Sequence, residues 1–202
     1  MTPAEIRLLT RVAAAFEHRS FWQRLVRHAA IPAAIFLAVF AASLHLGDGA
    51  GTDEGIEALT VIPGATMTTW EIFANNATVL LAIFVGGALT FAIGAIFVLA
   101  KNAVHFGWGV SLLAESYGTT VALAAFLPHG IVETAAFLVV AGASVRVAVL
   151  VVWSRVAPGT VWRRDVLLDV AALVAVAFAL LAVAAVVETT VTPAFVERVA
   201  QG

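Results

Sequence analysis

The chain has no cysteine, which removes disulfides, thiolate metal sites and cysteine nucleophiles from consideration together. Charge is also scarce. Asp, Glu, Lys and Arg make up 12% of the 202 residues, against roughly 25% in soluble domains. Lysine occurs once, at Lys101. No HExxH helix, no nucleotide-binding motif and no Ser–His arrangement stands out, so the sequence predicts no enzyme, no cofactor and no nucleic-acid partner. What is abundant is apolar: 62% of residues are hydrophobic, and the mean hydropathy is +1.02. These values describe an all-α, polytopic integral membrane protein. The net charge of −2 identifies no partner, because the charges are sorted by segment.

Residues 1–28 carry Arg7, Arg11, Arg19, Arg24 and Arg27 with no small-residue cleavage site after the next apolar run, so no cleavable signal peptide is predicted. Thr2-Pro3-Ala4-Glu5 has capping-box spacing. Ile6, Leu9, Ala13 and Phe16 then share a face, with Arg7 and Arg11 on another. The expectation is an interfacial amphipathic helix on anionic lipid, with a solvated N-terminal helix as the alternative.

Five apolar runs follow, over residues 29–46, 76–100, 104–127, 130–152 and 166–188. Each is close to the roughly 20 residues that cross a bilayer core. Together they predict one five-span membrane domain over 29–188. An acidic loop over 47–70 carries Asp48, Asp53, Glu54 and Glu57 but no Lys or Arg, and a tail covers 189–202. Thr68-Thr69-Trp70-Glu71 is a second capping box, where a helix should start and run into the second span. Lys101, Arg155, Arg163 and Arg164 join the N-terminal arginines as markers of the cytoplasmic side. That puts the N-terminus in the cytoplasm, and the acidic loop, the Pro128 turn and the C-terminus outside a multi-pass cell membrane.

Ionisable residues within the spans are functional candidates, since each costs roughly 2.5–3.5 kcal/mol at the bilayer centre. Asn75 and Asn76 open the second span, and Asn102 follows it. Gly86, Thr90 and Gly94 recur at four and Gly87 lies beside them, a spacing that lets two helices approach closely. Glu115 falls near the middle of the third expected span, with Gly118 as a local weak point. Level-matching about a turn at Pro128 brings Arg146 of the fourth span within reach of Glu115. A buried pair and a snorkelling Arg146 are equal alternatives.

The stretch "FLPHGIVETAAF", residues 126–137, poses the sharpest question. Pro128, His129 and Gly130 read as the turn into the fourth span, since proline suits a first helical turn. His129 and Glu133 then share a face at i, i+4. Two ligands are too few for a zinc site, so no metal is predicted. His129 and the amides of Asn75 or Asn76 are instead expected to close over Glu133.

These residues, in the order "EIFANNATVLLAIFVGGALTFAIGAIFVLAKNAVHFG", "LPHGIVE" and "AGASVRVA", resemble the stage II sporulation protein M family over about residues 70–150. The resemblance carries the family's polar positions onto Asn75 or Asn76, Asn102, Pro128, His129, Gly130 and Glu133. Asn102-Ala103 stands where the family often has Asn-Gly. The resemblance implies a non-enzymatic membrane scaffold, like the sporulation member that gathers peptidoglycan-degrading partners. The partners expected here are the lipid bilayer, other membrane or envelope proteins and a second copy of the chain. The alternative is a transporter or permease component using Glu115, Arg146, His129 and Glu133.

Overall fold

The computed structural model describes residues 21–46, 67–156 and 164–201, and every regular element among them is an α-helix. They are α1 (Phe21–Leu46), α2 (Thr69–Leu89), α3 (Ile93–Tyr117), α4 (Thr119–Val156) and α5 (Arg164–Ala200). Each holds a stretch long and apolar enough to cross a membrane. The chain is therefore a multi-pass all-α membrane protein. The expected amphipathic helix lies mostly outside the described residues, and 21–28 form the first turns of α1. The acidic part of the 47–70 loop also lies outside them.

The second capping box forms as read. The Glu71 N–H donates to the Thr68 hydroxyl, and the Thr68 N–H donates to the Glu71 carboxylate at 2.7 Å, starting α2 at Thr69. The next two boundaries differ from the sequence reading. The α2–α3 reversal comes at Thr90–Ala92, well before Lys101. Phe91 and Ala92 hold φ of 52° and 76°, the left-handed region that side chains with a Cβ rarely enter. Thr90 stitches this turn, its hydroxyl donating to the Gly86 carbonyl at 2.6 Å and accepting from the Gly94 N–H at 2.7 Å. A Cβ on Gly94 would lie 2.8 Å from the Gly86 oxygen. Gly86, Thr90 and Gly94 thus close a turn and do not form a stripe on one helix. Lys101 is an exposed residue inside α3, so it no longer marks a loop.

The α3–α4 reversal is at Gly118, whose φ of +88° ends α3 while its N–H caps the Ala114 carbonyl. Pro128 is therefore not a turn but sits inside α4. Proline there removes one backbone hydrogen bond. Membrane helices tolerate this where neighbouring helices enclose the break. Gly130 provides the room. A Cβ there would stand 2.7 Å from the Phe126 ring, which packs on Phe106 of α3 and Phe40 of α1 at centroid distances of 5.1 and 6.1 Å.

Helix α4 packs against all four others and is the centre of the bundle. Its small residues explain why: Ala136, Ala141, Ala143 and Ser144 are fully buried and let four helices close in. At Gly87 of α2, a Cβ would lie 2.7 Å from the Ala95 Cβ and 2.8 Å from the Ser144 Cβ. Ser43 of α1, opposite Gly107, donates to the Ala103 carbonyl at 3.1 Å, and Ser111 donates to the Leu44 carbonyl at 3.2 Å.

The α4–α5 pair forms a long spine. Helices of 38 and 37 residues run about 57 and 55 Å at 1.5 Å per residue. The 21 residues of α2 cover only about 31 Å. Thr69 and Thr189 share a hydroxyl hydrogen bond of 2.9 Å, which sets the start of α2 level with residue 189. Residues 190–200, expected as a tail, continue α5 beyond that level as helix.

Candidate functional site

With α4 and α5 antiparallel, residues whose numbers sum to nearly the same value meet across the interface. His129 lies opposite Thr192, Glu133 opposite Glu188 and Arg146 opposite Asp169. The sequence forms this seam by placing polar groups one turn apart on each helix, His129 with Glu133 and Glu188 with Thr192, at the i, i+4 spacing that shares a face.

His129, Glu133 and Glu188 each turn one ligand atom into a common space, and these atoms all lie within 4.8 Å of one another. Glu133 is 5% exposed and Glu188 7%. Among the described residues no Lys or Arg pairs with either carboxylate, and no hydrogen-bond donor is recorded for them. The Thr192 hydroxyl lies 3.2 Å from His129 Nδ1, and the Phe126 ring meets the imidazole edge-on at a centroid distance of 6.0 Å. The ring is thus fixed on two sides. Two buried carboxylates this close are stable together only when protons or a cation offset their charge.

The expected closure by asparagine does not form. Asn75 donates to the Asn76 amide oxygen at 3.3 Å, Asn75 is exposed, and neither bonds to Glu133. Both lie on α2, whose first turn reaches the level of Glu188 through the Thr69–Thr189 bond, but their amides turn elsewhere. Asn102 donates to its own helix, at the Val98 carbonyl.

The inner pair is also corrected. Arg146 is buried, and its Nη2 lies 3.1 Å from the Asp169 carboxylate on α5. Glu115 is exposed two residues from the end of α3, because the helix ends at Tyr117. The sequence reading placed it mid-span only by assuming a turn at Pro128.

Glu188, Thr192 and Asp169 are the residues that sequence reasoning missed. Their signal was present: an acidic residue at each end of the last apolar run, facing polar residues of the preceding run once the two are folded antiparallel. Two ligands on one helix are too few for a metal, and the fold brings a third from another.

Among comparisons with known proteins, the family model described as Stage II sporulation protein M matches residues 29–193. That range takes in the site and the whole of α2, α3 and α4. No curated protein and no solved structure matches the chain.

Proposed function

The chain belongs to the stage II sporulation protein M family, and on that premise we propose that it is a non-enzymatic scaffold or assembly protein of the cell membrane. It would hold membrane or envelope partners against a fixed helical platform. The observation that carries this reading is the use of interior polar groups as fasteners between helices. Arg146–Asp169 ties α4 to α5, Thr69–Thr189 ties α2 to α5, and Ser43 and Ser111 tie α1 to α3. Gly87 and Gly107 close the remaining gaps by backbone approach. Such an interior resists the rearrangement that alternating access requires, and it supports a rigid surface.

That surface is apolar along the spine. Leu123, Leu127, Ile131, Val191 and Phe195 are exposed on the half of α4 and α5 nearest Gly118. We place this end outside the cell and the Thr90 end in the cytoplasm. Arg24, Arg27, Arg155, Arg163 and Arg164 cluster in sequence at the start of α1 and about the α4–α5 connection, as the positive-inside tendency favours. Losing Lys101 as a marker leaves this assignment standing.

A second reading, a permease component, is favoured by one observation: Glu133 and Glu188 are buried ionisable groups with no fastening partner among the described residues, as on ion and proton routes. One experiment separates the two. A photo-crosslinking residue at Ile131 or Phe195 is installed in the chain in its native membrane, and the purified protein is assayed for proton flux in liposomes. A scaffold gives discrete adducts with the same proteins in repeated preparations and no flux above empty liposomes. Flux that Glu133→Gln abolishes, with crosslinks to lipid only, would replace the scaffold by the permease.

A further inference from the structure

We propose that His129, Glu133 and Glu188 form a binding site for one divalent first-row transition-metal cation that joins α4 to α5. The geometry is the first support. Two ligands come from successive turns of α4 and the third from the facing turn of α5, with ligand atoms within 4.8 Å of one another. Metal–ligand bonds of about 2.0–2.2 Å at tetrahedral angles need atoms about 3.4 Å apart. Rotation about the glutamate side-chain torsions is the movement that would close that difference.

Charge is the second and independent support. Glu133 and Glu188 are each more than nine-tenths buried and aimed into the cluster, with no cationic side chain or hydrogen-bond donor recorded for either among the described residues. Arg146, the buried cation among the described residues, is already engaged by Asp169 at 3.1 Å. A dication against two carboxylates makes the site neutral, the state that low-dielectric surroundings favour. A single monovalent cation would leave one negative charge buried.

The donor types narrow the ion. An imidazole nitrogen with two carboxylate oxygens suits zinc, iron or manganese better than magnesium or calcium, which prefer all-oxygen shells. The Thr192 hydroxyl at His129 Nδ1 is the kind of outer contact that fixes a ligating imidazole, and Phe126 closes the apolar side. Three protein ligands leave a fourth position for water or another oxygen donor. The Thr69–Thr189 bond sets the cluster level with the first turn of α2.

The test uses the full-length chain, purified in detergent without a polyhistidine tag, stripped with a chelator and titrated with zinc by calorimetry. A parallel titration with cobalt follows visible absorption. One saturable equivalent per chain is expected, with a rise in thermal midpoint on loading. Glu133→Gln and Glu188→Gln should each weaken binding at least about 100-fold, and Thr192→Val by about 10-fold, as outer-contact losses do. Glu115→Gln, on an exposed residue, should bind as wild type. Size exclusion confirms that each variant remains folded, and the wild-type stoichiometry stands whatever a variant does. No saturable equivalent in the wild type overturns the site. So does binding unchanged in the Glu133→Gln/Glu188→Gln double variant, and the two carboxylates are then held by protons alone.

Discussion

Substituting Asp169 by Asn should be among the most damaging single changes in the chain, although it is isosteric. Arg146 is 4% exposed, and the partner of its guanidinium is the Asp169 carboxylate at 3.1 Å. Removing one member of a buried pair costs about 3–5 kcal/mol, because the other charge stays desolvated without an opposite. The Asp169 side chain keeps 28% exposure, so water softens the loss. The lower end, about 3 kcal/mol, is the expectation. For a chain of this size that is about 6–12 °C in thermal midpoint. Arg146→Met should cost less, because a partly exposed aspartate can reach water. The double variant Arg146→Met/Asp169→Leu should recover most of the loss, since an apolar pair of similar volume often replaces an ion pair without penalty. Tryptophan fluorescence during thermal unfolding in detergent reads these variants and the single variant Asp169→Leu, which closes the double-mutant cycle. Glu115→Gln is the decisive comparison: its side chain is exposed, and the shift should stay within about 0.5 kcal/mol. A coupling energy near zero between positions 146 and 169, or a large effect of Glu115→Gln, would refute the pairing.

Three further outcomes are expected. Gly87→Ala should destabilise by about 1–3 kcal/mol through overpacking, since its Cβ would meet Ala95 and Ser144 below 3 Å, whereas Gly109→Ala should be neutral or slightly stabilising because nothing lies within 4 Å. Thermal midpoints of the two variants check this. Ala92→Gly should stabilise by about 1 kcal/mol, since a residue at φ 76° is relieved when its Cβ is removed. The same unfolding assay reads it. Because the chain has no cysteine, single-cysteine labelling with an impermeant reagent on right-side-out vesicles reads orientation directly. Thr52→Cys should label while Thr10→Cys and Ser154→Cys stay protected, and labelling of Ser154→Cys from outside would invert the topology.

The presence of five apolar helices was legible because hydrophobic length is a strong signal. So was the start of α2, because Thr68 and Glu71 carry a local mechanism. The boundaries between were not. "GGALTFAIGAIF" reverses direction with no charge and no proline, using two left-handed residues that composition does not announce. Conversely, Pro128 carries the sequence mark of a break and does not break α4, since the bundle encloses it and Gly130 yields space to Phe126. Reading every span at about 20 residues then hid the length of α4 and α5. With α5 cut at 188, Glu188 looked like the edge of a loop and Thr192 like part of a tail. Level-matching about the α4–α5 connection, and not about Pro128, points from Arg146 toward the start of α5 and Asp169. His129 and Glu133 were singled out from one helix, but their company depends on register between two helices, which no local pattern encodes.

The α4–α5 register that assembles the buried site is tested most directly by paired cysteines in the otherwise cysteine-free chain. Two pairs are oxidised in native membranes and scored by intact mass after blocking of free thiols: His129→Cys with Thr192→Cys, and Asn76→Cys with Glu133→Cys. His129 and Thr192 are in hydrogen-bond contact, whereas Asn75 bonds to Asn76 and neither asparagine bonds to Glu133. The first pair should close to a disulfide in most molecules and the second should remain reduced. A reduced first pair with a closed second would show that α2, and not α5, faces Glu133, and would contradict the site as described.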